Sequence, residues 1–209
     1  MNDIISDVVL ILGGYALGSI SSAVLISMLL QLPDPRAGGS KNPGTTNMLR
    51  LGGRKAAALT LLGDMLKGFI PVAAAHGLNA QPVIVAATGL AAFLGHLYPI
   101  FLKFKGGKGV ATLLGVCLGL SWKVGLAACA TWVLGAVLFH ISSLGALTSA
   151  LLAPFYVWLF MADPPTLVAV TLMSTLLYWR HRSNIYGLIT GTEGKISAAK
   201  PTPSSEPIE

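Results

Sequence analysis

The sequence predicts an all-α polytopic membrane protein, a compact bundle of seven transmembrane helices, from three observations. Charged residues are scarce, apolar stretches reach spanning length, and the basic residues gather in three short clusters. Hydrophobic residues make up 54% of the 209 positions and charged residues 11%, with a mean hydropathy of +0.72. A soluble domain carries about a quarter charged residues, so too few are present here to cover such a surface. A membrane helix instead needs ~20 consecutive apolar residues, and the chain supplies such runs.

The first apolar stretch runs from Ile4 to Leu32 and ends at Pro33-Asp34-Pro35, a pair of helix breakers. It has no basic leader and no small-residue cleavage pattern, so it is expected to stay as a helix. A polar loop from Arg36 to Lys55 follows, then a second stretch from Ala56 to Leu78, a turn at Asn79 to Pro82, and a third from Val83 to Leu102. Lys103, Lys105 and Lys108 form a compact basic cluster. Val110 to Trp179 is mostly apolar, broken at Ser121-Trp122-Lys123, at His140 to Ser143 and at Asp163-Pro164-Pro165. These breaks define four segments, some shorter than a standard span. Residues 1–197 read as one membrane domain, and the Pro/Ser-rich residues 198–209 as a disordered cytoplasmic tail.

Charge gives an orientation. Of the 14 Lys and Arg residues, all but Lys67 and Lys123 lie in the clusters and the tail. An even number of spans must separate clusters that share a side, which gives seven spans, or five if the short segments merge or re-enter. The positive-inside rule places the clusters and C-terminus in the cytoplasm. The N-terminus, with Asp3 and Asp7 and no basic residue, belongs outside. The formal net charge of +6 therefore reads as topology and as attraction for anions. No basic strand interleaved with aromatics and no basic amphipathic helix is present, so nucleic acid is not an expected partner.

Several features have sufficient structural explanations. Gly14 to Gly18 and Gly115 to Gly119 have the small-xxx-small spacing of closely packed membrane helices. Trp122, Trp158 and Trp179 fall near helix ends, where an interfacial belt places them. Asp64 and Lys67 lie one turn apart in the second span, a spacing that lets them pair. Cys117 and Cys129 sit in apolar surroundings without His or acidic neighbours, so neither a disulfide nor a metal site is expected.

The three clusters carry the chemistry. The first, from Gly38 to Arg50, combines turn-forming Gly and Pro with Ser40, Asn42, Thr45, Thr46 and Asn47 as neutral donors and Arg50 as a planar cation. That inventory suits a phosphate oxyanion, and equally a loop with positive-inside charge. The second, His96 to Thr112, holds Gly106-Gly107-Lys108-Gly109 at the start of a helix. A helix start offers free N–H groups and a positive dipole end. The spacing is not that of a Walker A loop, which argues against nucleotide hydrolysis. The third contains Arg180-His181-Arg182-Ser183-Asn184 and Thr192-Glu193, and on one helix His181 and Asn184 would share a face. No G-x-S-x-G or H-E-x-x-H motif is present, and no His has an acidic residue five positions on.

Together the segments SKNPGTTNMLR, GHLYPIFLKFKGGKGVAT and RHRSNI followed by GTE resemble the PlsY family, the bacterial acyl-phosphate-dependent glycerol-3-phosphate acyltransferases. The resemblance runs from the first helix to Glu193. It implies transfer of a fatty acyl group from acyl phosphate to the 1-hydroxyl of glycerol 3-phosphate, giving lysophosphatidate. It further implies a bacterial inner-membrane enzyme with a cytoplasm-facing site, no cofactor, and a functional link to an acyl-phosphate-producing enzyme. Carried over by motif, Ser40, Arg50, Lys108, His181 and Asn184 contact the glycerol phosphate and the reacting groups. Asn42, Gly44, Thr46, Asn47, His96, Gly106, Gly107, Gly109 and Glu193 complete the substrate and phosphate contacts. Lys41, Thr45 and Gly187 depart from the family's usual residues. The base remains open between His181 and a substrate phosphate oxygen, and an organic-phosphate transporter or flippase is the rival reading.

Overall fold

A computed structural model describes residues 4–196, and every regular element among them is helical. The proposed tail, residues 198–209, lies outside the described residues. In chain order the helices are α1 (Ile4–Gly18), α2 (Ser22–Leu29), α3 (Thr45–Gly77), α4 (Pro82–Leu97), α5 (Val110–Leu120), α6 (Trp122–Phe139), α7 (Ser142–Phe160), α8 (Pro164–Arg180) and α9 (Arg182–Thr190). A short 3-10 turn spans Ile100–Leu102.

The core is built from close helix approach. α5 packs against α3 and α6, α1 against α4, and α7 against α6 and α8. Glycine permits the tightest of these contacts. A Cβ on Gly18 would lie 2.1 Å from the Ala92 carbonyl oxygen, and one on Gly115 would lie 2.0 Å from that of Met65. The predicted glycine pairs thus mark backbone-to-backbone seams, α1 on α4 and α5 on α3. Between them sits a sealed apolar layer including Phe93, Val116, Met173 and Leu177.

The helix boundaries revise three expectations. The Ile4–Leu32 stretch is two helices, bent by 46° between Gly18 and Ser22. The freed Ile20 carbonyl accepts a 2.8 Å hydrogen bond from Lys67 Nζ, and the Ser21 hydroxyl caps α2 by accepting from Val24 N. A buried cation thus compensates the broken backbone, as a low-dielectric interior requires. Secondly, the loop predicted to extend to Lys55 turns helical at Thr45, and this polar leg joins the apolar part of α3 through a kink at Gly53 (φ 72°). A positive φ is cheap only for glycine, so Gly53 redirects the leg that carries Arg50. Thirdly, α4 stops at Leu97, because the next residues wind into the 3-10 turn.

The four segments expected between Val110 and Trp179 are present as α5 to α8, separated near the predicted breaks. By length and composition, α3, α4 with its 3-10 turn, α6 and α7 are long and apolar enough to cross a membrane, and the bent α1–α2 pair makes a fifth. α5 is 11 residues long and α8 is 17, which leaves both short of the standard span.

The seams yield a test. Gly115→Val forces a branched side chain into the Met65 backbone and should lower the thermal unfolding midpoint in detergent sharply, whereas Gly13→Ala, which meets nothing within 4 Å, should leave it unchanged. Equal effects would show that α5 does not approach α3 so closely.

Candidate active site

Polar residues from each of the three clusters converge on one cavity of about 130 Å³. Its wall takes Ser40, Asn42, Gly44, Thr46, Asn47 and Arg50 from the first cluster, and His96, Lys108 and Gly109 from the second. The third contributes His181, Asn184 and Glu193. Every candidate from the sequence therefore lies on this wall except Gly106 and Gly107.

Those two glycines build the site from behind. Their N–H groups are not free: Gly106 N donates to the Leu97 carbonyl and Gly107 N to the His96 carbonyl, both at 3.2 Å. Their own carbonyls accept from Arg180, whose Nη2 lies 2.9 Å from Gly106 O and 3.1 Å from Gly107 O. Arg180 also stands over the Tyr98 ring. A Cβ on Gly107 would meet the His96 ring at 2.2 Å. Gly109 has φ 91° and lies against Phe93 and Leu97. The loop is thus clamped between Arg180 and His96, and the clamp aims Lys108 and the start of α5 into the cavity.

Asn47 has a similar bracing role. Its Oδ1 accepts from Ser40 N at 2.8 Å, and its Nδ2 donates to the carbonyls of Pro35 and Gly38. The side-chain amide is fully engaged in folding the turn that presents Ser40. The Asp64–Lys67 pair forms as the spacing suggests, at 2.8 Å. His96 Nδ1 lies 3.7 Å from the same carboxylate, which brings Asp64 and His96 together at the cavity wall.

The cations differ in how they are held. Lys108 Nζ donates to Asn184 Oδ1. Asn184 Nδ2 donates to Glu193 Oε1 at 2.7 Å, and Ser143 Oγ donates to the same oxygen at 2.6 Å. This chain joins four side chains from four segments. Burial lowers the Lys108 ammonium below its usual range, Glu193 opposes that, and Arg180 and Arg50 reinforce it. Arg50 lines the cavity and its guanidinium makes no hydrogen bond or ion pair with a described residue, so its fork of donors is available to a ligand.

His181 does not share a continuous helix with Asn184. It is the junction residue at which α8 ends and α9 begins (φ −98°, ψ 9°). Its Nδ1 lies 2.9 Å from the Leu177 carbonyl. A carbonyl only accepts, so Nδ1 carries the proton and Nε2 is the lone-pair nitrogen. Burial pushes the imidazole down to about 4, with Leu177 opposing and Lys108 adding to the shift. His181 is therefore neutral near pH 7.

Three helices start on the cavity wall: α3 with Thr45 and Thr46, α5 with Val110 and Ala111, and α7 with Ser142 and Ser143. None of their cap residues, Gly44, Gly109 and Ile141, makes a side-chain capping bond. The sequence predicts the α5 start but neither that of α3, which it places inside a loop, nor that of α7. Ser142 and Ser143 read from the sequence as a break between apolar runs, although a Ser pair preceding such a run is itself a helix-start signal. Leu61, Trp132 and Ala146, also missed, give the wall an apolar part. Nothing local distinguishes them from lipid-facing residues.

A bundle of apolar helices around a cationic, helix-start-lined cavity is that of an integral membrane protein suited to anionic ligands. The chain belongs to the glycerol-3-phosphate acyltransferase family, whose model matches residues 8–191. It is 56% identical to the glycerol-3-phosphate acyltransferase of Methylococcus capsulatus, covering 89% of this chain and 94% of that one. The corresponding protein of Thioalkalivibrio sulfidiphilus is 55% identical, with 90% and 92% covered. Crystal structures of PlsY, an integral membrane glycerol 3-phosphate acyltransferase, superpose with TM-scores of 0.87 for the glycerol 3-phosphate form and 0.85 for the lysophosphatidic acid form. Both are 36% identical and cover 92% and 91% of this chain, and 96% and 95% of their own.

The buried neutral histidine has a measurable consequence. Its native pKa lies below the unfolded value of about 6.5, so between about pH 6.5 and 4 the unfolded chain binds a proton that the folded chain refuses. Stability is thus lost as pH falls through this window and is unaffected above it. Thermal unfolding of the ligand-free protein should show a smaller acid-side loss for His181→Gln than for the parent. Identical losses would mean that His181 titrates normally in the native state.

Proposed function

We propose that this protein transfers a fatty acyl group from acyl phosphate to the 1-hydroxyl of glycerol 3-phosphate, releasing phosphate and lysophosphatidate. The observation that carries this is the convergence of three uncapped helix starts with Arg50 and Lys108 on one cavity. Each start contributes about half a positive charge and N–H donors. Two phosphate-bearing substrates held side by side need that combination.

Acyl phosphate is a mixed anhydride with a good leaving group, so no covalent enzyme intermediate is needed. The substrate hydroxyl attacks the acyl carbonyl, the new ester C–O bond forms, and the C–O bond to phosphate breaks. The hydroxyl proton ends on phosphate. The protein's share is proximity and preorganised charge. Arg50 and the start of α3 hold one phosphate, and Lys108 and the start of α5 the other. Asn184 and Glu193 fix the Lys108 ammonium in position. His181 Nε2 can accept a hydrogen bond from the attacking hydroxyl, but an imidazole with a pKa near 4 is a weak base. We therefore assign the proton to a phosphate oxygen of the substrate.

With the bent α1–α2 pair counted as one segment and the nine-residue α9 set aside, the helices make seven spans, with α5 and α8 as short ones. The positive-inside rule puts the cavity mouth and the C-terminus on the cytoplasmic side of a bacterial inner membrane. A water-soluble acceptor reaches the site from that side, and an amphiphilic donor from the leaflet. A soluble or peripheral enzyme that makes acyl phosphate is the functional partner this arrangement calls for.

Purified protein given glycerol 3-phosphate and acyl phosphate should form lysophosphatidate, and acyl-CoA should not replace the donor. Uptake of an organic phosphate into vesicles without product would support a transporter and sink the proposal. Arg50→Ala and Lys108→Ala should each lower kcat by roughly 100- to 1000-fold. The pH–rate profile of His181→Gln should keep the parent's shape between about pH 5 and 8. A changed basic limb would make His181 the base after all.

A further inference from the structure

A second cavity, of about 560 Å³, lies beside the reaction cavity and shares Asn42 with it. Its wall includes Arg36, Lys41, Lys103, Lys105 and Arg180, and no Asp or Glu. Arg36 is paired with Asp34 at 2.6 Å, and Arg180 is engaged by the glycine carbonyls. The side-chain ammonium groups of Lys41, Lys103 and Lys105 make no hydrogen bond or ion pair with a described residue, so all three remain for a ligand. The volume falls within the ~300–1,000 Å³ of ligand pockets.

The apolar part of this cavity is unusual for a soluble-ligand site. Phe101 and Phe104 line it and are 66% and 58% exposed, and Ile100 beside them is also exposed. All three follow directly on α4, where the chain leaves the apolar bundle. Lys103 and Phe104, adjacent residues of the lining, both have left-handed backbone, φ 51° and 60°. That conformation is costly for residues other than glycine. A lining that joins ammonium groups to exposed aromatic rings just past the end of an apolar helix is complementary to a lipid with a phosphate headgroup and acyl chains.

We infer that this cavity is a binding site for the headgroup of an anionic phospholipid of the surrounding leaflet. A phosphodiester would sit among Lys41, Lys103 and Lys105, with its chains along Phe101 and Phe104. The assignment rests on charge complementarity at the membrane boundary and does not depend on the acyl-transfer reading. Lysine suits the task, being a point charge that takes phosphate without a fixed geometry. The shared Asn42 places the bound lipid next to the turn that presents Ser40.

The full-length protein in mixed micelles of neutral detergent and phosphatidylcholine can be titrated with phosphatidylglycerol, with bound lipid counted by native mass spectrometry. The parent should retain phosphatidylglycerol in preference to phosphatidylcholine, and raising the salt should weaken that preference. Lys103→Gln with Lys105→Gln should reduce it by roughly 30-fold, since each lysine near an anionic headgroup contributes about a factor of five. The thermal unfolding midpoint of the double variant in the same micelles, measured in parallel, reports that it is folded. A preference that survives the double variant, or one indifferent to salt in the parent, overturns the assignment. Inorganic phosphate that displaces the lipid with equal affinity also overturns it, because the site would then read a free anion.

Discussion

The constraint on which the molecule turns is that a helix start in a low-dielectric interior leaves N–H donors needing partners. Three such starts meet at one cavity without side-chain caps. Capping would have cost nothing in sequence terms, and α2 and α8 show it, using Ser21 and Asp163. At α3 and α5 the cap position holds glycine, which contributes no competing acceptor. The positive ends of both helices therefore remain available to whatever anion enters.

The rest of the architecture follows from bringing those starts together. The α3 start reaches the cavity because Gly53 kinks the helix, and the α5 start because Arg180 and His96 clamp the preceding glycine loop. Close approach of α5 to α3 needs Gly115 at the Met65 backbone. At the cavity wall, Asp64 and His96 join Lys67 in a buried polar set whose lysine also satisfies the open turn at Ile20. A single ionised residue there would carry a desolvation cost of several kcal/mol. Sharing the charge among three side chains and a carbonyl makes it tolerable, and joins α1–α2, α3 and α4 at one point.

Much of this was legible in the sequence, though unevenly. Composition and run length fix a helical membrane protein, and the order of three polar clusters fixes the site's components, because both signals are local. Pairing of Asp64 with Lys67 and the packing of Gly18 and Gly115 were readable from spacing alone. What was not readable depends on distant contacts. The break at Ile20 is stabilised by Lys67, 47 positions away, so Ile4 to Leu32 reads as one helix. Gly106 and Gly107 read as phosphate ligands because a glycine turn before a helix looks the same whether its N–H groups are free or bound to His96 and Leu97. Ser142 and Ser143 read as a loop because nothing in the chain says that α7 begins opposite Thr46, whose hydroxyl lies 3.1 Å from that of Ser142.

For the proposed reaction, electrostatics favour fixed cations and a neutral imidazole over a carboxylate base. Two unit charges 4 Å apart repel by about 4 kcal/mol at an effective dielectric of 20, so two dianions in contact face several times that. A carboxylate facing the reacting groups would add to this repulsion. Glu193, the acidic residue nearest the ammonium, instead has Oε1 occupied by Asn184 and Ser143, an arrangement that positions Lys108 through Asn184. A protonated His181 would help bind phosphate but could not accept a proton, and burial removes that state near neutral pH. The proton is then best carried by the group whose basicity rises as the anhydride breaks, the departing phosphate. A site that supplies only geometry and positive potential is sufficient for such a substrate.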